Sequence, residues 1–257
     1  MKSSIKQQFN STMLITALVS LASFSSLTNA TIVQIQTSLG NIEVNLFDET
    51  TPKTVENFLS YINDNAYDDT IVHRSISGFV SQSGGYYFDD EDTLIEVEEK
   101  PTVINEPLYS NVRGTIAMAK LGGDPNSATS QWFINLSDNS ADLNSQNSGF
   151  TVFGQVTEAG MVVMDAIAAL PTKNFGGAFS STPLQGSTNA SSITRDNAVV
   201  IDSIAITDNT VDSASILEPL ANTSRKNQDL TSNSSAGSLG FSFVVLLAGL
   251  SIARRLK

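Results

Sequence analysis

The chain has 257 residues, a formal net charge of -12, 40% hydrophobic residues, one histidine and no cysteine. No disulfide, thiolate metal site or thiol nucleophile can form, and a mechanism needing two imidazoles from one chain is excluded, which removes most zinc-hydrolase arrangements. So acidic a chain repels phosphate backbones, so no nucleic-acid partner is expected.

Residues 1–30 read as a secretory signal. Lys2 and Lys6 make a basic start, Met13 to Phe24 is mostly apolar, and Thr28-Asn29-Ala30 supplies small residues for cleavage. Residues 31–207 then read as one globular domain without an internal repeat. Thr31 to Thr37 and Asn41 to Phe47 alternate apolar and polar residues around Ser38-Leu39-Gly40, the pattern of a hairpin. Thr51-Pro52 opens a helix, because proline suits the first helical position and Val55, Phe58, Leu59 and Ile62 share a face; Asn63-Asp64-Asn65 ends it.

Short strands are expected at Thr70 to His73, Gly78 to Gln82, Thr115 to Ala119, Gln131 to Leu136, Thr151 to Val156 and Ala198 to Ile206, with a second helix at Met161 to Ala168. Many antiparallel strands with two helices point to a mainly-β fold, a closed barrel capped by the helices. The seven acids of 89–99 (Asp89, Asp90, Glu91, Asp92, Glu96, Glu98 and Glu99) read as a solvated loop, since they lack the glycine turn of an EF-hand calcium loop.

Residues 208–240, rich in Ser, Thr, Asn and Asp, bury too little to fold and read as a flexible polar tether. Phe241 to Ala253 is apolar and is followed by Arg254-Arg255-Leu256-Lys257. Residues 241–257 therefore read as a membrane anchor or sorting tail whose basic end stays in the cytoplasm. The layout resembles bacterial C-terminal sorting tails built from a small-residue motif, a helix and a basic stop, although the paired glycines of that family are not intact. The expected location is exported, periplasmic or at the cell surface, tethered or released after processing of the tail.

Three segments carry chemistry. Val72-His73-Arg74 runs through Ser77-Gly78-Phe79-Val80-Ser81-Gln82 to Gly84-Gly85. Arg113-Gly114-Thr115-Ile116-Ala117-Met118-Ala119 continues to Ser130-Gln131-Trp132-Phe133-Ile134, and Gly149-Phe150-Thr151-Val152-Phe153-Gly154-Gln155-Val156 follows. In order and spacing these resemble the active-site motifs of the cyclophilin-type peptidyl-prolyl cis/trans isomerases, and the similarity covers about residues 31–207.

That resemblance implies a closed, antiparallel, eight-stranded barrel capped by two helices, and an isomerase of X-Pro bonds in exported proteins. Rotation about such a bond faces a barrier of ~18–20 kcal/mol from amide resonance, so a catalyst must favour the twisted amide over both planar forms. By resemblance Arg74 is the catalytic residue, a permanent cation with a rigid fork of donors beside the proline. Phe79, Val80, Phe133 and Leu143 are implied to line the proline hole with Phe150 at its edge, while Gln82, Ala119, Lys120 and Gln131 serve the peptide. Along the strand, Trp132 and Phe133 point to opposite faces, so one ring can fill the barrel and the other line the groove.

No metal and no cofactor is implied, because electrostatics and fit alone weaken the resonance. The expected partners are proline-containing polypeptide clients, with the membrane reached through the tail. The eukaryotic family type has methionine at Val80, asparagine at Lys120, tryptophan near Asp142 and histidine at Phe150; without the tryptophan, cyclosporin binding is expected to be weak. His73 reads as a structural donor, since isomerisation moves no proton. The competing reading is a non-catalytic module that holds proline segments on the same barrel; it shares Phe79, Phe133 and Leu143 but has no need of Arg74.

Overall fold

A computed structural model describes residues 31–208 and 218–224. The expected signal, most of the tether and the apolar tail lie outside the described residues. In chain order the elements are β1 (Ile32–Thr37), β2 (Gly40–Leu46), α1 (Pro52–Asn63), β3 (Thr70–Ile71), β4 (Arg74–Ser75), β5 (Val80–Ser83), β6 (Tyr86–Phe88), β7 (Leu94–Glu96), β8 (Thr115–Met118) and β9 (Trp132–Asn135). They continue with α2 (Ser140–Leu143), β10 (Val152–Val156), α3 (Glu158–Ala168), β11 (Thr172–Lys173), β12 (Thr182–Pro183) and β13 (Val200–Asp208).

The opening hairpin forms where alternation predicts it. Val33 and Ile35 of β1 and Ile42, Val44 and Leu46 of β2 are buried, and Thr37 pairs with Gly40 across the turn, its hydroxyl donating to the Gly40 carbonyl at 2.7 Å. Helix α1 begins at Pro52, as expected, and buries Val55, Phe58, Tyr61 and Ile62. Helix α3 starts three residues before the predicted Met161, because Thr157 caps it: its hydroxyl accepts from the Gly160 N–H at 3.2 Å.

Eleven strands form one sheet in the order β4-β5-β9-β8-β10-β2-β1-β13-β3-β6-β7, while β11 and β12 pair apart. The mainly-β expectation holds, and the pairing ladder runs from β4 to β7 with β3 and β4 joined through Val72-His73. At Val72-His73 the chain exchanges partners. β3 pairs with β13 and β6, the Val72 N–H turns to the Val199 carbonyl, and the Ser75 N–H reaches Ser181 while β4 joins β5. The sheet therefore curls around its core.

Inside the curl, Phe58 sits 5.3 Å from Tyr67, 6.3 Å from Trp132 and 5.0 Å from Phe153, ring centre to ring centre, within a cluster that also holds Val33, Ile35, Ile42, Val44 and Ile116. Tyr67 is fully buried, and its hydroxyl donates to the Ser130 carbonyl at 2.8 Å. A second cluster on the other face holds Phe47, Val80, Ala117, Ala119, Phe133, Leu143, Phe150 and Val152.

The acidic stretch is not simply a loop. Tyr86 pairs with Glu96 and Phe88 with Leu94, so β6 and β7 form a hairpin whose tip is closed by the Asp89 carboxylate accepting from the N–H groups of Glu91 and Thr93. Arg195 neutralises part of the charge by binding Asp92 at 2.7 Å and also Asp69, and Val97 is buried in the main core.

His73, at the exchange point, is fully enclosed, with its ring edge-on to Tyr86 (5.2 Å) and Phe179 (6.2 Å). Burial lowers its pKa to about 3, the Arg74 charge adds to the effect, and a hydrogen bond with the Ile71 backbone opposes it. The unfolded chain therefore takes up a proton near pH 6.5 that the fold refuses until about pH 3, so stability falls as pH drops through that window. Urea midpoints measured from pH 7 to 4 should fall more steeply in the wild type than in His73→Phe, and parallel curves would contradict the assignment.

Candidate active site

The sheet register lines up the site in a single row. Arg74 of β4 faces Gln82 of β5, Gln82 faces Phe133 of β9, Phe133 faces Ala117 of β8, and Ala117 faces Val152 of β10. Residues directly opposite on neighbouring strands share a face. A cation thus sits at one end of a row whose other end is apolar.

The adjoining row, Ser75–Ser81–Ile134–Ile116, faces the other way. The expected split of neighbours is seen at β9, where Trp132 joins the interior cluster and Phe133 the groove cluster.

Arg74 is partly buried, which lowers its pKa from the ordinary guanidinium value; a guanidinium nevertheless stays charged near neutrality. One terminal nitrogen donates to the Gln82 side-chain oxygen at 3.4 Å, and the Gln82 amide nitrogen donates to the Gln131 side chain at 2.8 Å. Among the described residues no carboxylate forms an ion pair with Arg74, so most of its five donors are not engaged by the protein. The two glutamines fix the direction of the fork without neutralising it.

Val80, Phe133, Leu143, Phe150 and Ala119 pack in one cluster with Phe79 half-buried against it, and the rings of Phe133 and Phe150 meet edge to face at 5.7 Å. The structure therefore brings the sequence-predicted residues together. Gln131 supports the groove from below: its carbonyl accepts from the Ala119 N–H at 2.9 Å, and its side chain packs against Gly85 so closely that a Cβ there would lie 2.8 Å from it. Asp142 is exposed on α2 beside buried Leu143.

The side chain of Lys120 turns into the wall. It is buried, and the ammonium donates to the Gly149 carbonyl at 2.7 Å and the Asn147 carbonyl at 3.0 Å while lying 4.8 Å from the Phe150 ring centre. These carbonyls belong to Asn147-Ser148-Gly149, three consecutive residues with positive φ (50°, 65° and 78°). Such a backbone is unfavourable for non-glycine residues and persists only when its surroundings hold it. Asn105 assists, its amide donating to the Ser148 and Gly149 carbonyls at 3.1 and 2.8 Å.

Asn111 was not singled out in the sequence, yet it binds the same wall from behind. Fully buried, it donates from its backbone to the Asn144 side chain at 2.8 Å and from its amide to the Phe150 carbonyl at 3.2 Å. Asn135 and Asn139 extend this network: Asn135 donates to Asn111 at 3.3 Å and Asn139 to Asn135 at 2.8 Å. Buried amides that satisfy one another in this way rigidify what they hold. The run of asparagines at 135, 139 and 144 was the available signal.

Two outcomes test the wall. Burial lowers the Lys120 pKa to about 8 against Asp124, which raises it, so between about pH 8 and 10.5 the unfolded chain holds a proton that the fold has released. Relative to Lys120→Met, wild-type stability should therefore gain as pH rises through that range, read from urea midpoints. At Gly149 a Cβ would lie 2.6 Å from the Asn144 carbonyl oxygen, with φ at +78°. Gly149→Ala should lower unfolding free energy by about 2 kcal/mol or more, since both the backbone and the clash oppose it.

Comparison with known proteins identifies a family. Residues 32–188 match the family described as "Cyclophilin type peptidyl-prolyl cis-trans isomerase/CLD". A peptidyl-prolyl cis-trans isomerase of Acinetobacter baylyi is 41% identical over 149 residues, covering 57% of this chain and 76% of that protein. Peptidyl-prolyl cis-trans isomerase A of Dickeya dadantii is 40% identical over 168 residues, 63% of this chain and 85% of the relative. Among solved structures, a cyclophilin-type isomerase of Cryptosporidium parvum, crystallised in the presence of the dipeptide Ala-Pro, superimposes with a TM-score of 0.52 at 24% identity, over 69% of this chain and 99% of its own. The chain belongs to the cyclophilin-type peptidyl-prolyl cis-trans isomerase family.

Proposed function

We propose that this chain accelerates cis/trans rotation of X-Pro bonds in exported polypeptides, with Arg74 as the catalytic residue. The observation that carries the reading is the row Arg74–Gln82–Phe133, which holds a guanidinium with uncommitted donors against a dry aromatic floor. The names of the bacterial relatives support the reaction, and the Ala-Pro dipeptide present with the solved relative supports proline peptides as ligands.

The chemistry follows from what changes on twisting. As the amide leaves planarity, conjugation is lost and the prolyl nitrogen regains a lone pair able to accept a hydrogen bond. A donor fixed beside that nitrogen binds the twisted state more tightly than either planar isomer, and only such a difference raises the rate. Arg74 supplies the donor, Gln82 and Gln131 hold its direction, and Phe79, Val80, Phe133, Leu143 and Phe150 grip the ring. Because the groove is apolar, little water competes for the guanidinium.

Export is part of the proposal and rests on the basic, apolar and small-residue sequence of positions 1–30. The apolar stretch 241–257 with its basic end supports attachment to a membrane, and the clients would then be proline-containing proteins outside the cytoplasm.

Exchange NMR on an Ala-Pro peptide with the full chain tests the reaction. Arg74→Ala should lower kcat/KM by roughly 10²–10³, the usual loss when one donor to a developing charge is removed. Arg74→Lys should recover only part, because an ammonium lacks the fork. Equal exchange in wild type and Arg74→Ala would leave a binding module as the surviving reading.

A further inference from the structure

Residues 218–224 fall within the stretch expected to be a free tether, yet they lie against the domain. The Ser110 N–H donates to the Leu220 carbonyl at 2.7 Å, the Asn222 N–H donates to the Leu108 carbonyl at 2.8 Å, and Tyr109 and Ala221 form an antiparallel bridge. The Ser110 hydroxyl adds a bond to the Ala221 carbonyl at 3.0 Å. Extended backbone added to an exposed edge is held by this kind of pairing whatever its side chains.

One side chain of the segment reaches further. The Asn222 amide donates to the Asn144 carbonyl at 2.9 Å and to the Pro107 carbonyl at 3.3 Å, and its own oxygen accepts from the Ser224 N–H at 3.1 Å. Asn144 is the residue that ends α2, so its carbonyl is one of those a helix end leaves without an internal partner. The same oxygen is closely approached by Gly149, where a Cβ would come within 2.6 Å. Leu143 precedes it, and the Phe150 N–H binds the Leu143 carbonyl at 3.0 Å. Asn222 therefore grips the hinge between the two halves of the wall, Leu143 on one side and Gly149-Phe150 on the other.

We propose that Asn222 is a positioning residue for the proline pocket, acting through the Asn144 carbonyl, so that the isomerase unit extends through residue 224. This lies beyond the family-matched residues 32–188 and rests on the isomerase reading of the groove. Tyr109, which the segment pairs with, also touches the groove cluster and meets Phe47 edge to face at 5.1 Å, so the strap braces the pocket from two directions.

The test uses the full chain with three variants, read by Leu143 methyl resonances without peptide and by kcat and KM for an Ala-Pro peptide. Asn222→Ala should shift the Leu143 methyls and raise KM about fivefold, what loss of the bond to the Asn144 carbonyl alone amounts to, while kcat stays within about twofold because the Arg74 row is untouched. Asn222→Asp keeps the shape but turns an acceptor towards two carbonyls, so it should fare worse than Asn222→Ala. Leu220→Ala, altering a side chain that is 61% exposed, should change neither readout.

Unmoved Leu143 resonances in a folded Asn222→Ala chain would overturn the proposal, as would unchanged KM or an equal effect from Leu220→Ala. A wild type without exchange would sink the isomerase reading instead, and the resonances would then decide the contact by themselves.

Discussion

A pleated strand sends neighbouring side chains to opposite faces, and at Trp132-Phe133 both faces are dry. That constraint organises the molecule. Trp132 closes the interior with Phe58 and Tyr67, while Phe133 joins the separate cluster of Val80, Leu143 and Phe150. A slip of one residue in β9 would exchange the two rings and destroy core and groove together. The register also brings Arg74 and Gln82 into line with Phe133, so the position of the charge is fixed by backbone pairing rather than by a flexible loop.

The wall of the groove is made differently. α2 is a single turn, and the residues after it adopt three successive positive-φ conformations, so little regular hydrogen bonding holds this stretch. Its carbonyls are satisfied from outside instead. Lys120 takes those of 147 and 149, Asn105 those of 148 and 149, Asn111 that of 150, and Asn222 that of 144. A buried carbonyl without a partner is costly, and each of these side-chain donors comes from a segment distant in sequence. The groove thus combines a floor set by the sheet with a wall set by polar side chains.

This division explains what could be read from the sequence. The β1–β2 hairpin and α1 were legible because alternation and Thr51-Pro52 state a local preference that the packing agrees with. The floor was legible because Arg74, Gln82 and Phe133 stand in motifs that resemble a family. β6 and β7 were hidden by Asp89 to Glu99, where charge masks Leu94 and Val97 and strands of three residues are too short to show a period. Lys120 was placed at the peptide by its position in the motif, and nothing local announces that its ammonium turns inward to carbonyls about thirty residues on. The docked segment was invisible for a related reason: its composition is that of a linker, and what holds it is main-chain pairing plus one amide. The partner exchange at Val72-His73 was not legible because it depends on Val199 and Ser181, far away in the chain.

The enclosure of His73 has a wider meaning. Imidazole is the ordinary side chain whose charge changes near neutrality, and this chain has a single one, locked uncharged beneath Tyr86 and Phe179. The reaction itself transfers no hydrogen ion. A catalyst of this build carries no imidazole brake on its turnover near neutrality.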